Sequence, residues 1–277
     1  MSKDAIIKVI FSAFLAIVPA MAWGYIFYKK QIGHKSMSLL TFFSGAFFVV
    51  PLLVYKYLWQ FFPWINAFAY AHPFKDDFVG FANLTFIPLD VLVTFLIVGV
   101  IEEVAKFLAV KTTAHGKIHS IDDAIEFSVT AALGFAFIEN IIYFYNIVSL
   151  RGVENILYPF IFRSLFSTFA HVMFSGIFGY YYGLAYFAKP IMGDPHQQRR
   201  WPIFRTLASI FHFKKDVSFR EEKMMQGLLT AISLHALFNI FLEMNWTFLL
   251  IPYLTGGFIL LSYLLEKKED NKVYGFH

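Results

Sequence analysis

The apolar positions of this sequence fall in long runs that short polar segments separate. A helix rises 1.5 Å per residue, so about 20 residues cross a hydrocarbon core of about 30 Å. Backbone groups in lipid must be satisfied within each crossing segment, which favours helices here. The pattern predicts an all-α, polytopic transmembrane helical bundle, folded as a single membrane domain over residues 1–277. About seven spans fit, near residues 7–28, 37–58, 86–110, 123–147, 160–187, 224–243 and 246–265.

The polar segments between the runs differ in character. Residues 59–80 are rich in Trp, Phe and Tyr, which favour the headgroup level of the membrane, and are expected to form an interfacial loop or a short re-entrant segment. Ser120, three residues before Asp123, predicts a capping box at the start of the fourth span. The loop 189–223 combines basic and aromatic residues, which predicts a helix lying on an anionic lipid surface.

The distribution of basic residues predicts an orientation in the cell (plasma or inner) membrane. Most of the 23 Lys and Arg residues fall in one alternate set of segments. Because basic residues are retained on the cytoplasmic side, the N terminus is expected outside and the C terminus in the cytoplasm. The basic loop 189–223 is then cytoplasmic.

Composition narrows the classes of partner and chemistry. The chain is 58% hydrophobic and 15% charged, whereas a soluble domain has about 25% charged residues. The 277 residues include no cysteine, which excludes disulfides, thiolate metal sites and a cysteine nucleophile. The net charge of +4 is explained by the loops and needs no nucleic-acid partner. The expected surroundings are a lipid bilayer.

The third run carries charges that a purely structural membrane helix would not need. Glu102, Glu103 and Lys106 lie inside it, although an ionised carboxylate near the bilayer centre costs several kcal/mol. Glu102 and Lys106 are four residues apart and are expected to pair on one helix face. Glu103 points about 100° away and needs a partner on another helix.

Helical spacing collects small and polar side chains on narrow faces of the next three runs. Small residues let helices approach closely in a membrane, and polar residues hydrogen-bond across the contact. These faces are expected to meet the charged face of the third run. The predicted interior cluster consists of Glu102, Glu103, Lys106, Glu139, Asn140, His171, His235 and Asn239.

Such a cluster can support two kinds of hydrolysis. A carboxylate can take a proton from water while a histidine stabilises an oxyanion. Alternatively, His171, His235 and Glu139 are candidate ligands for zinc that leave an open position for water. Each residue alone also has a structural explanation, as an ion pair or a helix-packing hydrogen bond.

Four motifs in this order resemble the PrsW family of intramembrane proteases, which is related to the CAAX-processing and bacteriocin-immunity membrane proteases. The resemblance covers about residues 86–245 and implies a catalytic core there. It implies an intramembrane endopeptidase that cleaves a membrane-anchored protein, with anti-sigma factors in stress signalling among the substrates. The motifs are Glu102-Glu103-x-x-Lys106, Gly134-Phe135-x-x-x-Glu139-Asn140, His171 in a Ser/Gly-rich span, and His235-x-x-x-Asn239.

The resemblance also implies roles for the catalytic candidates. The CAAX relatives have histidine where this chain has Glu139, so their division of roles is not transferred to that position. The family is classed with metallopeptidases, while its relatives are also described as metal-free glutamate proteases, so zinc stays an open cofactor. The implied roles are a base at Glu102 or Glu103, water orientation or metal binding at Glu139, water activation or metal binding at His171, oxyanion stabilisation by His235 and Asn239, and Lys106 holding Glu102.

Two other functional classes use similar features. Buried Glu and His residues also line the pathways of proton- or ion-coupled transporters, although the sequence has no inverted repeat. A non-catalytic membrane scaffold or immunity protein could retain the same fold. Flux of a solute would indicate a transporter, and partner binding that survives loss of the acidic and histidine residues would indicate a scaffold.

Overall fold

The structure, a computed structural model, describes residues 2–28, 35–81, 85–114, 116–193 and 215–267. These residues are almost entirely helical, which confirms the predicted all-α class. The α-helices are α1 (Lys3–Tyr28), α2 (Lys35–Phe47), α3 (Val49–Leu58), α4 (Leu89–Ala114), α5 (Ile121–Arg151), α6 (Leu157–Phe162), α7 (Thr168–Tyr186), α8 (Ala188–Gly193), α9 (Lys215–Glu243) and α10 (Leu250–Lys267).

Shorter elements join these helices. A π-helical turn, Arg163–Ser167, connects α6 to α7. Strands β1 (Phe78–Phe81) and β2 (Thr85–Pro88) form an antiparallel pair immediately before α4. The remaining elements are the 3₁₀ turns Pro63–Ile65, Ala67–Tyr70, His72–Phe74, Val153–Asn155 and Thr247–Leu249.

Six of the predicted spans are long and apolar enough to cross a membrane. The second is formed by α2 and α3 in near continuity, and the fifth by α6, the π turn and α7. The remaining predicted span corresponds to α4, which has 26 residues but carries Glu102, Glu103 and Lys106 near its middle. The count of about seven spans is therefore approximate.

The boundaries of the elements differ from the predicted ones in understandable ways. Helix α9 begins at Lys215, nine residues before the predicted span 224–243, because a polar helical extension carries no hydropathy signal. The predicted start of the third span, residues 86–88, is strand instead. The predicted basic loop 189–223 is helical at both ends, and its central residues 194–214 lie outside the described residues.

The aromatic segment after α3 forms a compact series of turns. Tyr55 at the end of α3 donates its hydroxyl to the carbonyl of Ile65 at 2.8 Å and accepts from the amide of Ala67 at 2.9 Å. Trp59 packs edge-on against Phe68, with ring centroids 5.3 Å apart. Trp64 and neighbouring aromatic residues are exposed, and their position at the headgroup level stays a prediction.

Helices α5 and α7 form the centre of the bundle. In these two spans, 61% and 56% of the most apolar window is buried, against at most 33% in the other four. Helix α5 begins with the predicted capping box: Ser120 accepts from the amide of Asp123, and the Asp123 carboxylate accepts from the amide of Ser120. The central position of α5 and α7 puts their polar faces inside the bundle.

Close approach of helices depends on glycine at a crossing between α2 and α5. A Cβ atom added at Gly45 would lie 2.0 Å from the carbonyl oxygen of Ala131, and one added at Gly134 would lie 1.9 Å from that of Phe42. No larger residue fits either position without moving a backbone. This reciprocal contact fixes the position of α5 relative to α2.

Candidate active site

The charged residues of α4 form a buried pair that differs from the predicted one. The Lys106 ammonium donates to Glu103 Oε1 at 2.7 Å, and the two side chains are only 3% and 2% exposed. The expected pairing of Lys106 with Glu102 is therefore wrong: the i,i+3 partner is chosen over the i,i+4 partner. The reason is that Glu103 and Lys106 both face the interior, whereas Glu102 faces a cavity beside them.

His171 on α7 joins this pair and its tautomer follows from its neighbours. Its Nδ1 lies 2.9 Å from the Lys106 Nζ, and an ammonium group can only donate. Nδ1 therefore accepts, and the proton of the neutral imidazole is on Nε2. Nε2 lies 2.9 Å from Glu139 Oε2 on α5 and donates to it. His171 thus connects the α4 pair to the carboxylate of Glu139.

His235 on α9 has the opposite arrangement. Its Nδ1 lies 2.8 Å from Glu103 Oε1, and because that carboxylate accepts, Nδ1 carries the proton. The second ring nitrogen, Nε2, faces Glu102 Oε2 at 3.6 Å. The lone pair of neutral His235 therefore points toward Glu102, which makes this nitrogen an acceptor rather than a donor.

Glu102 is the carboxylate with spare hydrogen-bonding capacity. Its Oε2 is buried and has no hydrogen-bond partner among the described residues. One polar side-chain atom from each of Glu102, Glu139 and His171 lies within 4.8 Å of the other two. The carboxylates of Glu102 on α4 and Glu139 on α5 are therefore close together although they come from different helices. The three side chains line a small cavity of about 80 Å³, which has room for a few water molecules.

The remaining predicted residues lie at or next to this cavity. Asn239 lines it from α9, one helical turn after His235. Asn140 is buried behind it and reaches the site through Arg163 rather than directly. Glu103 and Lys106 do not line the cavity and are buried behind it. All eight predicted residues are thus brought into one region, with different access to water.

The cluster predicted from the sequence did not include Arg163. Its guanidinium donates to Asn140 Oδ1 at 2.5 Å, lies 3.5 Å from Glu139 Oε2, and covers the Tyr143 ring at 4.8 Å. The signal that could have found it is its position inside the predicted span 160–187, where a charged residue needs a partner.

A closed set of hydrogen bonds holds Arg163 in place. The carbonyl oxygen of Arg163 accepts from the backbone amide of Thr168 across the π turn and also from the Thr168 hydroxyl at 2.8 Å. Asn140 Nδ2 donates to the same hydroxyl oxygen at 3.2 Å, while the Asn140 carbonyl accepts from Arg163. This three-residue network connects α5 to the start of α7 and fixes the cation beside Glu139.

Aromatic rings surround the network and limit its contact with water. Phe174 stacks on the His235 ring at 5.4 Å, and the Lys106 ammonium lies 5.0 Å from the centre of the Phe135 ring. Charged hydrogen bonds in such surroundings are stronger than at a surface, and an unpaired charge is costlier. These rings therefore favour one fixed arrangement of the charged side chains.

Another buried carboxylate lies apart from this network. Glu126 lies near the start of α5, but only 8% of it is exposed and it accepts from the Ser38 hydroxyl at 2.7 Å. Helix α2 covers it, which the sequence could not reveal because the contact is between distant segments. Glu126 is a structural partner of α2 and does not line the site.

The donor types at the cavity resemble a metal site, but their hydrogen bonds do not fit one. Among the described residues, the side chains close enough together to share a metal ion are those of Glu102, Glu139 and His171. His235, which was expected to be a zinc ligand, is not in this group. A histidine that binds metal ordinarily donates its other N–H to an acceptor. In His171 that nitrogen faces the Lys106 ammonium, a donor, so Nε2 keeps its proton. As arranged, His171 does not fit a zinc ligand.

Comparison with known proteins agrees with this architecture. Residues 33–264 match the PrsW family, described as PrsW family intramembrane metalloprotease. The chain is 24% identical over 261 residues to Protease PrsW of Oceanobacillus iheyensis, covering 93% of this chain and 95% of that protein. It is 25% identical over 264 residues to Protease PrsW of Clostridioides difficile, covering 92% and 89%.

A third relative is more similar over a shorter stretch. Protease PrsW of Shouchella clausii is 29% identical over 175 residues, which cover 61% of this chain and 67% of that protein. No solved structure matches the chain.

Proposed function

The chain belongs to the PrsW family of intramembrane proteases, and we propose that it hydrolyses a peptide bond of a membrane-anchored protein by activating water between Glu102 and Glu139 without a metal. The observation that carries the proposal is the meeting of two carboxylates and an imidazole from three helices at one polar cavity inside the bundle.

Glu102 is the proposed general base. Glu102 lines the cavity and its Oε2 has no hydrogen-bond partner among the described residues, so this carboxylate can accept a proton from a bound water. As the water oxygen bonds to the scissile carbonyl carbon, that proton moves to Glu102. When the C–N bond breaks, Glu102 returns the proton to the leaving amine. This cycle consumes one water molecule and leaves the site in its starting state.

The charges of the cluster support an acid–base role for Glu102 and its neighbour. Three carboxylates, at Glu102, Glu103 and Glu139, face the two cations Lys106 and Arg163, which leaves one net negative charge. A low-dielectric interior disfavours an uncompensated charge. The proton that Glu102 takes from water cancels this charge, and His235 Nε2, which lies 3.6 Å from Glu102 Oε2, can receive that proton from Glu102 during turnover.

The other residues have supporting roles in this proposal. Glu139, held by Arg163 and His171, orients the water on the side opposite Glu102. The Asn239 amide lines the same cavity and can donate to the oxyanion, a contribution typically worth about 10²–10³ in rate. Glu103 and Lys106 are positioning residues, because they fix His235 and His171 from behind.

Cleavage of a single-span reporter in proteoliposomes tests the assignment. We expect Glu102→Gln to lose at least about 10²-fold in rate while remaining folded, since the amide cannot take a proton. Glu139→Gln serves as the matched comparison and should retain part of the rate, because an amide oxygen can still orient water. Normal turnover by Glu102→Gln would overturn the assignment.

The same assay separates the other functional classes. A transporter would move solute across the vesicle and leave every reporter intact, and a scaffold would bind its partner with Glu102 and His171 both replaced. We further propose the predicted orientation, N terminus outside and C terminus cytoplasmic, which terminal fusions to alkaline phosphatase would test. An anti-sigma factor as the substrate also stays a prediction.

A further inference from the structure

A second, larger cavity of about 420 Å³ adjoins the polar cavity. The two share Glu102, Glu139 and Arg163, so the proposed catalytic carboxylates stand where the cavities meet. The other walls of the larger cavity come mainly from α3 and α5. Leu53 on its α3 wall is 43% exposed, so this groove is open along that side.

The lining of the groove changes from apolar to polar along its length. At one end Val49 packs in a buried apolar cluster with Phe135, close to the Lys106 ammonium. At the other end Trp59 contacts the aromatic turns that suit the headgroup level. On α5 the groove extends from Phe135 to Asn146, and the part from Glu139 to Asn146 is about 10 Å long along the helix. The groove therefore leads from the catalytic carboxylates toward the membrane surface.

The dimensions of the groove favour an extended chain. An extended segment advances about 3.3 Å per residue, so about three residues match a length of 10 Å. A helix with its side chains is about 10–12 Å in diameter, which is as wide as this part of the groove is long. The groove therefore suits a stretch of polypeptide that has left its helix, which is also the form in which a peptide carbonyl is accessible to water.

The charges in the groove are arranged asymmetrically. Both carboxylates, Glu102 and Glu139, lie at the catalytic end, and Arg163 is committed to Glu139 and Asn140. Lys56 lines the polar end, is exposed, and has no ion pair within the described parts of the chain. The polar end therefore offers a free cation to whatever fills the groove.

We propose that this groove binds the substrate as a short extended segment whose residues next to the scissile bond are apolar and whose acidic side chain, about three residues farther on, faces Lys56. The proposal rests on the proposed function, since the groove ends at the proposed catalytic carboxylates. It specifies a substrate class: single-span proteins with an acidic residue just beyond the apolar segment.

Cross-linking in an inactive protein tests docking independently of cleavage. The chain has no cysteine, so one introduced thiol reports one position. In a Glu102→Gln background, Leu53→Cys lies in the groove and Val54→Cys, 49% exposed and outside the groove lining, is its matched control. The probe is a synthetic peptide with an apolar span of about 20 residues and one cysteine at its end. We expect disulfide formation at position 53 to exceed that at position 54 several-fold.

Charge reversal tests the specificity. A peptide series carries Glu, Gln or Lys at each of about four positions after the span, and cross-linking is measured with Lys56 intact or replaced by Glu. We expect Lys56 to favour Glu over Lys by about tenfold at one position and Lys56→Glu to invert that order. An unchanged order, or equal cross-linking at positions 53 and 54, overturns the proposal. Loss of all cross-linking only in vesicles with anionic lipid would show that lipid fills the groove, which also overturns it.

Failure of this proposal is distinguishable from failure of the proposed function. The same peptides are offered to the protein with Glu102 intact. Selective cross-linking with no cleavage contradicts the protease assignment and leaves docking supported. Cleavage that is indifferent to the charge at position 56 and to the peptide series contradicts docking in this groove and leaves the protease assignment supported.

Discussion

Replacing Lys106 with methionine removes the cation that holds two parts of the network together. The Lys106 ammonium donates to Glu103 Oε1 at 2.7 Å and to His171 Nδ1 at 2.9 Å, and its side chain is only 3% exposed. Methionine nearly fills the same space, so the change tests charge more than packing. It leaves the buried Glu103 carboxylate with His235 as its remaining partner.

The expected magnitude follows from this burial. Removing one partner of a buried ion pair typically costs about 3–5 kcal/mol because the other charge stays uncompensated. Removing both charges costs much less, since no carboxylate is left unpaired. We therefore expect Lys106→Met to lower the free energy of unfolding by about 3–5 kcal/mol. The double variant Lys106→Met with Glu103→Gln should recover most of that loss.

A second double variant identifies the partner of Lys106. Unfolding in mixed micelles with increasing dodecyl sulfate, followed by circular dichroism, gives the stability of each variant relative to the unaltered protein. Recovery by Glu103→Gln but not by Glu102→Gln is the expected result. Recovery by Glu102→Gln instead would refute the described pairing and support the i,i+4 pair that the sequence suggested. No destabilisation by Lys106→Met at all would refute a stabilising ion pair at this lysine.

Three further variants test the helix contacts around the site. Gly134→Ala should disrupt the crossing of α2 and α5, because its Cβ would lie 1.9 Å from the Phe42 carbonyl oxygen. The amount of this variant that accumulates in the membrane should fall. The control variant Gly256→Ala should accumulate normally, because a Cβ at this position has no atom within 4 Å. Thr168→Val should lower the free energy of unfolding by about 1–3 kcal/mol, because it removes the hydroxyl between Asn140 and the Arg163 carbonyl. The control variant Thr255→Val, at an exposed position of α10, should have little effect in the same unfolding assay. Ser120→Ala should lower the free energy of unfolding by about 0.5–2 kcal/mol through loss of the α5 cap, and Ser120→Asp should restore the cap. Equal stability of the unaltered protein and these two variants would contradict the capping role.

The bundle was predictable from the sequence because its dominant signal is local. Apolar length alone located the spans, and the Ser120–Asp123 capping box set the start of α5 within two residues of the predicted span. The polar faces of α5, α7 and α9 were also predictable, since helical spacing puts their members on one side. What they would contact could only be inferred, because small and polar stripes do not specify a partner.

The details of the site depended on tertiary contacts that spacing does not encode. Both Glu102 and Glu103 are within helical reach of Lys106, and the choice between them depends on which side of α4 faces the interior. The roles of His171 and His235 follow from their neighbours, a donor for one and an acceptor for the other. The burial of Glu126 is a further contact of this kind, since its partner Ser38 on α2 lies 88 residues away in sequence.

The sequence did hold one signal that was not used. Arg163 lies within a predicted span, and a cation there requires a partner or a function. Its partners are Glu139 and Asn140, adjacent residues of the second motif. A search for compensating charges among the spans would have joined Arg163 to Glu139 and extended the predicted cluster by one member.

The most direct test of the account is cleavage of a single-span reporter by protein stripped of metal, with metal content and cleavage rate measured on the same samples. The hydrogen bonds of His171 keep a proton on its Nε2, which donates to Glu139, so this nitrogen offers no lone pair to a metal ion. The account predicts that cleavage persists with far less than one metal ion per chain and is lost in Glu102→Gln. Cleavage that stops on stripping and returns with one zinc ion per chain would contradict it.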